Sequence, residues 1–344
     1  MTARLRIITP GLQTTVQDAG RVGVQGLGVP ASGVLDPPAM RLANALVGNA
    51  PDCAVLEMRL TGLAFKVEGA AVRIAVTGAE ADVTVQVEGA APRVFAAWRA
   101  VAAPEGALVT ISAPRDSAIA TVAVSGGIDT PPLWGSRATL LRAGFGGFEG
   151  RALRAGDVLP VGPSAEAPLL AAPRPPRDAR PARLRVVLGP QADRFTPAAR
   201  AALVSAPYRV TQDADRMGVR FEGPELTHAD SHDIVSDAVL PGSIQAPGSR
   251  QPILLLADCQ TTGGYPKIAT VISADLPRAA RLTPGQAARF EIVSVEAGEA
   301  AARAADAALA AAVAALAPVV EGAIFDEAAL HRENLISGVV GCTE

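Results

Sequence analysis

Short apolar runs separated by Gly, Pro and Asp turns recur along most of the chain. Residues 5–9, 64–67, 72–76, 83–87, 109–111 and 119–124 are rich in β-branched side chains and predict strands. Their regular spacing predicts a barrel or a sandwich. One amphipathic helix interrupts them: Asp36 is placed to cap it, Pro37 suits its first position, Met40, Leu42, Ala43, Leu46 and Val47 form an apolar stripe, and Gly48 ends it. Between 162 and 183 the periodicity stops, and a stretch rich in Pro, Ala and Arg reads as a linker. Strands are predicted again at 184–188, 208–211, 218–222, 252–256, 269–272 and 288–295, with a short helix at 197–204 capped by Thr196. The two halves echo each other in short stretches, such as LRIITPG from Leu5 and LRVVLGP from Leu184. Two similar β domains with closed sheets would account for this. The expected class is therefore mainly β, divided into an N-terminal β domain (1–162), a linker (163–183), a C-terminal β domain (184–295) and a helical tail (296–344). The alanine-rich part of that tail is a good helix former with a small apolar face, so it should dock on something. The final stretch, FDEAALHRENLISGVVGCTE, predicts a short amphipathic helix and an apolar end that contact this chain or a partner, the alternative being a disordered tag.

Composition narrows the function. Hydrophobic residues make up 49% of the 344, yet no apolar run nears the roughly 18–20 residues of a membrane span. The start shows no signal peptide, and three cysteines without CxxC spacing suit a reducing cytoplasm. A net charge of −3 and 3% aromatic residues give no nucleic-acid footprint. His228 and His232 stand four apart without evident further metal ligands.

Chemistry concentrates at ADCQTTGGYPKIATV, residues 257–271, between apolar runs. Asp258, Gln260, Thr261, Thr262, Gly263, Gly264, Tyr265 and Lys267 would sit on a glycine-bearing turn between two strands. The glycines would let backbone N–H groups approach an oxygen. Lys267 is one of two lysines, the other being Lys66. A hairpin turn whose polar groups serve only its own backbone is the alternative. On a strand, Tyr265 and Lys267 would share a face. Asp18 and Arg21 flank a glycine turn, as either a site or a salt-bridged turn. Ser32 precedes the helix cap, and Arg216 and Gln245 lie at chain reversals. The glycine-dense stretch 144–150 lacks GxGxxG, and GxxxxGK[ST], GxSxG and SxxK are absent, as is a lysine between two methionines that would carry biotin.

Five blocks resemble one family: TTVQDAGRVGVQGLGVPASGVLDPPAMRLANALVGN from Thr14, SGGIDTPPLWGSRATLLRAGFGGFEGRALRAGD from Ser125, DADRMGVRFEGPEL from Asp213, DIVSDAVLPGSIQAP from Asp233, and the stretch around Lys267. Together they are similar to the biotin-dependent carboxyltransferases, a family that also takes in allophanate hydrolase subunit 2 and the C subunit of 5-oxoprolinase. The resemblance runs from Leu5 to about Val295. Two departures stand out: Cys259 where arginine is more usual, and Gly248-Ser249-Arg250 where a Pro-Asp-Gly-like turn is usual.

The resemblance implies two cyclophilin-like β-barrels and a cytoplasmic subunit of an enzyme for cyclic or urea-like amides. It implies ATP, with magnesium, driving 5-oxo-L-proline to L-glutamate, beside a paralogous B subunit and a lactam-hydrolysing A subunit. One alternative is carboxyl transfer to urea or a related amide from biotin carried by another protein. Another is a non-catalytic partner of a kinase inhibitor. Chemistry suggests Lys267, Asp258, Gln260 and Tyr265 as catalytic groups. Thr261, Thr262, Gly263, Gly264, Gln245, Arg216, Ser32, Asp18 and Arg21 would bind substrate or nucleotide. Lys267 and Arg216 would stabilise phosphate or carboxylate charge, Asp258 a proton or cation, and the Gly263-Gly264 amides an oxygen.

Overall fold

The computed structural model describes residues 2–174 and 182–319. The chain is mainly β, as the pattern predicts. In the first half, a six-stranded sheet runs in the order Val158–Pro160, Arg4–Thr9, Leu63–Glu68, Leu108–Ile111, Asp82–Gln86, Arg93–Ala96. A five-stranded sheet runs Gln13–Gln17, Val55–Arg59, Ile119–Val124, Val72–Thr77, Ala100–Ala103. Both are antiparallel throughout. One core joins them, with Leu5, Ile7, Phe65 and Val83 from the first sheet packed with Leu56, Ile74 and Val122 from the second. Helix α1, Pro37–Val47, covers the outer face of the five-stranded sheet through Met40, Ala43, Leu46 and Val47, against Val55, Ala75 and Ala123. Its ends follow sequence: Asp36 Oδ1 accepts from Ala39 N, and Gly48 takes a left-handed φ of 79° that a side chain would resist.

The second half closes as a seven-stranded barrel in the order Ala182–Leu188, Lys267–Val271, Ser243–Gln245, Ile253–Leu255, Gly218–Glu222, Tyr208–Ala214, Ala287–Ile292. The first and last of these close it in parallel. Helix α2, Pro197–Ser205, has the expected Thr196 cap. Helix α3, Leu276–Ala280, follows the barrel strand Lys267–Val271. Helix α4, Val295–Ala314, is capped by Ser294, so the strand expected at 288–295 stops at Ile292 and the helix begins inside it. Among its described residues α4 buries Gly298, which meets Ile272 so closely that a Cβ would lie 3.1 Å from Ile272 Cγ2.

Two expectations change. The linker is docked over its first part: Leu170–Ala171 pairs with Ala317–Pro318 after α4, and Arg73 Nη2 donates to the Ala165 carbonyl. Leu170, Ala172 and Leu316 extend the α1 core, so Leu170–Ala171 acts as a short apolar strand within the Pro- and Arg-rich stretch. Secondly, Ile253–Leu255 and Lys267–Val271 do not form a hairpin with each other. Both pair with Ser243–Gln245, which lies between them. The expected amphipathic segment after Val319 lies outside the described residues.

The two halves share more than a linker. Leu35, Ala118 and Ile119 from the first half lie in the core of the barrel half. Ala118 N donates to the Arg281 carbonyl, and Arg281 Nη1 reaches Asp36 Oδ2 at 2.6 Å.

Candidate functional site

The candidates converge where the halves meet. Gln25, Pro30 and Ala31 line a small crevice together with Val239, Pro241, Ala257 and residues 259–261. Ser32 N donates to the Ala257 carbonyl at 3.2 Å. The stretch singled out in the sequence thus faces the Arg21–Ser32 segment from the opposite half.

On the barrel side, Lys267 is 3% exposed. Its Nζ lies 2.9 Å from Asp237 Oδ2, so the compensating carboxylate is Asp237 and not Asp258. Gln191 spans the pair, its Nε2 donating to Asp237 Oδ2 and its Oε1 accepting from Lys267 N. Lys267, the Ala238 N–H and Gln191 together hold the Asp237 carboxyl below the usual aspartate range, with the lysine contributing most. Gln245 stands opposite Lys267 in the barrel register and is buried, with Oε1 unpartnered. Gly263 brings Gln245 and Gln260 together: a Cβ there would lie 3.5 Å from Gln260 Nε2 and 3.7 Å from Gln245 Oε1. Asp237 and Gln191 were not singled out from sequence. Asp237 sits inside the DIVSDAVLPGSIQAP block, which was the available signal.

Other members of the turn have structural duties. Thr262–Gly263 pairs with Asp237–Ala238, the Thr261 carbonyl accepts from Val239 N, and the Gly264 carbonyl accepts from Ile234 N. The glycines therefore seat a backbone ribbon. Tyr265 lies in a bend before Pro266 and is exposed, whereas Lys267 opens the strand and is buried. The expected shared face fails because the strand starts only after Pro266, which has no N–H to extend it. Cys259 is a buried thiol that burial pushes up to about 12, so it is neutral.

Arg216 and Asp258 are engaged with each other. Arg216 Nε and Nη2 meet Asp258 Oδ2 and Oδ1 at 2.9 and 3.0 Å, Nη1 meets Glu57, and Nη2 donates to the Gly33 carbonyl at 2.5 Å. Glu57 Oε2 accepts from Leu35 N at 2.7 Å. All three side chains are buried. Burial pulls the guanidinium down, but the two carboxylates outweigh it and hold Arg216 protonated. This triad ties the barrel to strand Val55–Arg59 and to the segment leading into α1. Arg216 has no fork left for a phosphate, and Asp258 has none for a cation. Glu57 reads as an ordinary strand residue in sequence, and only its place in the fold reveals it.

On the first-half side, Asp18 does not pair with Arg21. It accepts from Gly20 N, Ser136 Oγ and Arg137 N at 2.9, 2.6 and 2.5 Å, and so shapes the 136–138 loop. Arg21 Nη2 donates to the Ala138 carbonyl, and the guanidinium lies over the Phe145 ring, 5.0 Å from its centroid. Arg21 Nε and Nη1 and Ser32 Oγ are buried without partners.

A separate cavity of about 380 Å³ opens between α1, α3 and α4. It is lined mostly by apolar side chains such as Leu35, Leu256, Leu276 and Leu309, and by none of the sequence candidates. No group of three or more His, Cys, Asp or Glu suited to a metal ion occurs among the described residues. No helix there is long and apolar enough to cross a membrane.

The description "Carboxyltransferase domain, subdomain A and B" matches residues 27–292. The chain belongs to this family. Among curated carboxyltransferase relatives, the 5-oxoprolinase C subunit of Escherichia coli is 37% identical over 304 residues, covering 85% of this chain and 92% of that protein. Its Haemophilus influenzae namesake is 34% identical, covering 83% and 89%. Urea amidolyase of Saccharomyces cerevisiae is 30% identical, covering 85% of this chain and 17% of that much longer protein. The crystal structure of K. lactis urea amidolyase superposes with a TM-score of 0.81 at 27% identity, over 90% of this chain and 20% of that one.

Proposed function

We propose that the chain is the C subunit of an ATP-dependent 5-oxoprolinase, opening 5-oxo-L-proline to L-glutamate together with its A and B partner subunits. The near-full-length match to the 5-oxoprolinase C subunit carries this reading. The junction suits a small acidic lactam. Gln245 Oε1 is a buried acceptor awaiting a donor such as a lactam N–H, and Arg21 and Ser32 supply donors awaiting an acceptor. Gln260 Nε2 lies beside Gln245 and suits a carbonyl oxygen. Lys267, fixed by Asp237, places positive charge on the barrel side of the junction.

The donor set does not fit a metal-bound triphosphate. Arg216 and Asp258 are bound to each other, Thr262–Gly263 is paired with Asp237–Ala238, and no carboxylate cluster awaits magnesium among the described residues. In this reading ATP, with its magnesium, is held mainly by the partner subunits. This chain binds and orients the lactam and fixes the charges around it.

A second reading, carboxyl transfer to urea or a related amide, draws on the family description and the urea amidolyase relatives. Here the biotin would come from another protein. The chain purified with its partner subunits decides. ATP-dependent release of glutamate from 5-oxoproline supports the proposal. Carboxylation of urea by a supplied biotin carrier, without glutamate release, overturns it.

A further inference from the structure

Arg21 occupies a position that is costly for a guanidinium. It is 1% exposed, and burial lowers its pKa against the more distant pull of Asp18 and Asp258. One of its five N–H donors is used, by the Ala138 carbonyl. Asp18, three residues away, is taken up by Gly20, Ser136 and Arg137. No salt bridge to Arg21 occurs among the described residues. Whichever Nη2 hydrogen serves Ala138, one edge of the guanidinium keeps two parallel N–H groups, through Nε with Nη2 or Nη1 with Nη2. Two parallel donors match the two oxygens of a carboxylate.

Ser32 is a second, independent sign. Its hydroxyl is buried and unpartnered, and its φ of 54° is left-handed, a conformation a serine rarely adopts. The segments bearing Arg21 and Ser32 are interlocked. Arg21 N donates to the Ala31 carbonyl at 2.7 Å, and Cβ atoms on Gly20 or Gly33 would each come within 2.8 Å of the other segment's backbone. The fold holds two unsatisfied donor groups in a rigid frame that admits no substitution at either glycine.

We propose that Arg21 and Ser32 form a carboxylate subsite that selects the acid substrate, with Arg21 the main specificity-determining residue. The identity of that substrate rests on the 5-oxoprolinase reading. The subsite itself does not. Its chemistry would equally receive the carboxyl group of an N-carboxylated biotin.

The test compares L-5-oxoproline with 2-pyrrolidinone, the same lactam without a carboxylate, in the assembled complex. Arg21→Gln should lower kcat/KM for the acid roughly 10²–10³-fold and for 2-pyrrolidinone far less, collapsing the preference. Ser32→Ala should do the same more weakly. Equal losses on both lactams in Arg21→Gln would mean a structural role and overturn the proposal. A second measurement uses the full chain alone. The Arg21 Nε–H resonance, assigned by its loss in Arg21→Gln, should shift with acetate and 5-oxoproline and stay put with 2-pyrrolidinone or chloride. No shift with either carboxylate overturns the subsite. Turnover of neither lactam beside a clear acetate shift would retain the subsite and sink the 5-oxoprolinase reading. A shift with carboxylated biotin but not 5-oxoproline would do the same.

Discussion

Replacing Arg216 with methionine should test whether the buried triad holds the halves together. The guanidinium makes two bonds to Asp258, one to Glu57 and one to the Gly33 carbonyl, all at buried positions. Methionine fills similar space and leaves two carboxylates facing each other without a cation. Removing one partner of a buried ion pair costs about 3–5 kcal/mol. That is a fifth or more of the roughly 5–15 kcal/mol that separates a folded domain from its unfolded chain. At about 2–4 °C per kcal/mol for chains of this order, Tm should fall by roughly 6–20 °C. The loss should be repairable: Glu57→Gln and Asp258→Asn added to Arg216→Met remove the stranded charge and should restore most of the lost stability. Calorimetry on the single and triple variants provides the measurement. A single variant melting within about 2 °C of the parent, or a triple variant no better than the single, would show that the triad is not the tie inferred from its geometry.

Two further outcomes follow from the same structure. Asp36 both caps α1 and receives Arg281, so Asp36→Ala should cost about 2–3 kcal/mol in urea unfolding and Asp36→Asn about half of that, since asparagine keeps the cap acceptor; equal losses would separate the cap from the ion pair. Asp237 has a lowered folded-state pKa, so its contribution is present at neutral pH and is lost as pH falls through that value, below the ordinary aspartate range; a carboxyl carbon-13 titration should show a low midpoint that moves back up in Lys267→Met, and an unmoved midpoint would dissociate the two residues.

Local chemistry was legible in the sequence wherever the cause is local. Asp36, Gly48 and Thr196 fix helix ends by their own caps, and β-branched runs such as 119–124 became strands. The strands Gln13–Gln17 and Val55–Arg59 were missed because Gln13–Gln17 carries one apolar side chain, Val16, and because the polar Thr14, Thr15, Gln17 and Glu57 are buried by the fold. Partnerships across the chain were not legible. Lys267 was singled out in the sequence, but its carboxylate lies 30 residues away on a two-residue ribbon. Arg216 looked available for ligand because Glu57, 159 residues distant, gives no signal of being its partner. Asp18 and Arg21 looked like a pair because they are close in sequence, yet loop closure delivered Ser136 and Arg137 to the aspartate first.

The triad also restricts how the molecule can move. Many enzymes that bind a small substrate between two lobes close like a clamshell about a hinge. Here the lobes are bolted through Arg216 and again through Asp36 and Arg281, and apolar side chains of one lobe are buried in the core of the other. A hinge would have to break those contacts at every turnover. Opening must instead fall to loops, and the 22–29 segment is suited to it. Val22 is 92% and Leu27 74% exposed, and Gly23, Gly26 and Gly28 have open space around them. Substrate should therefore leave the radius of gyration unchanged while it quiets that one loop.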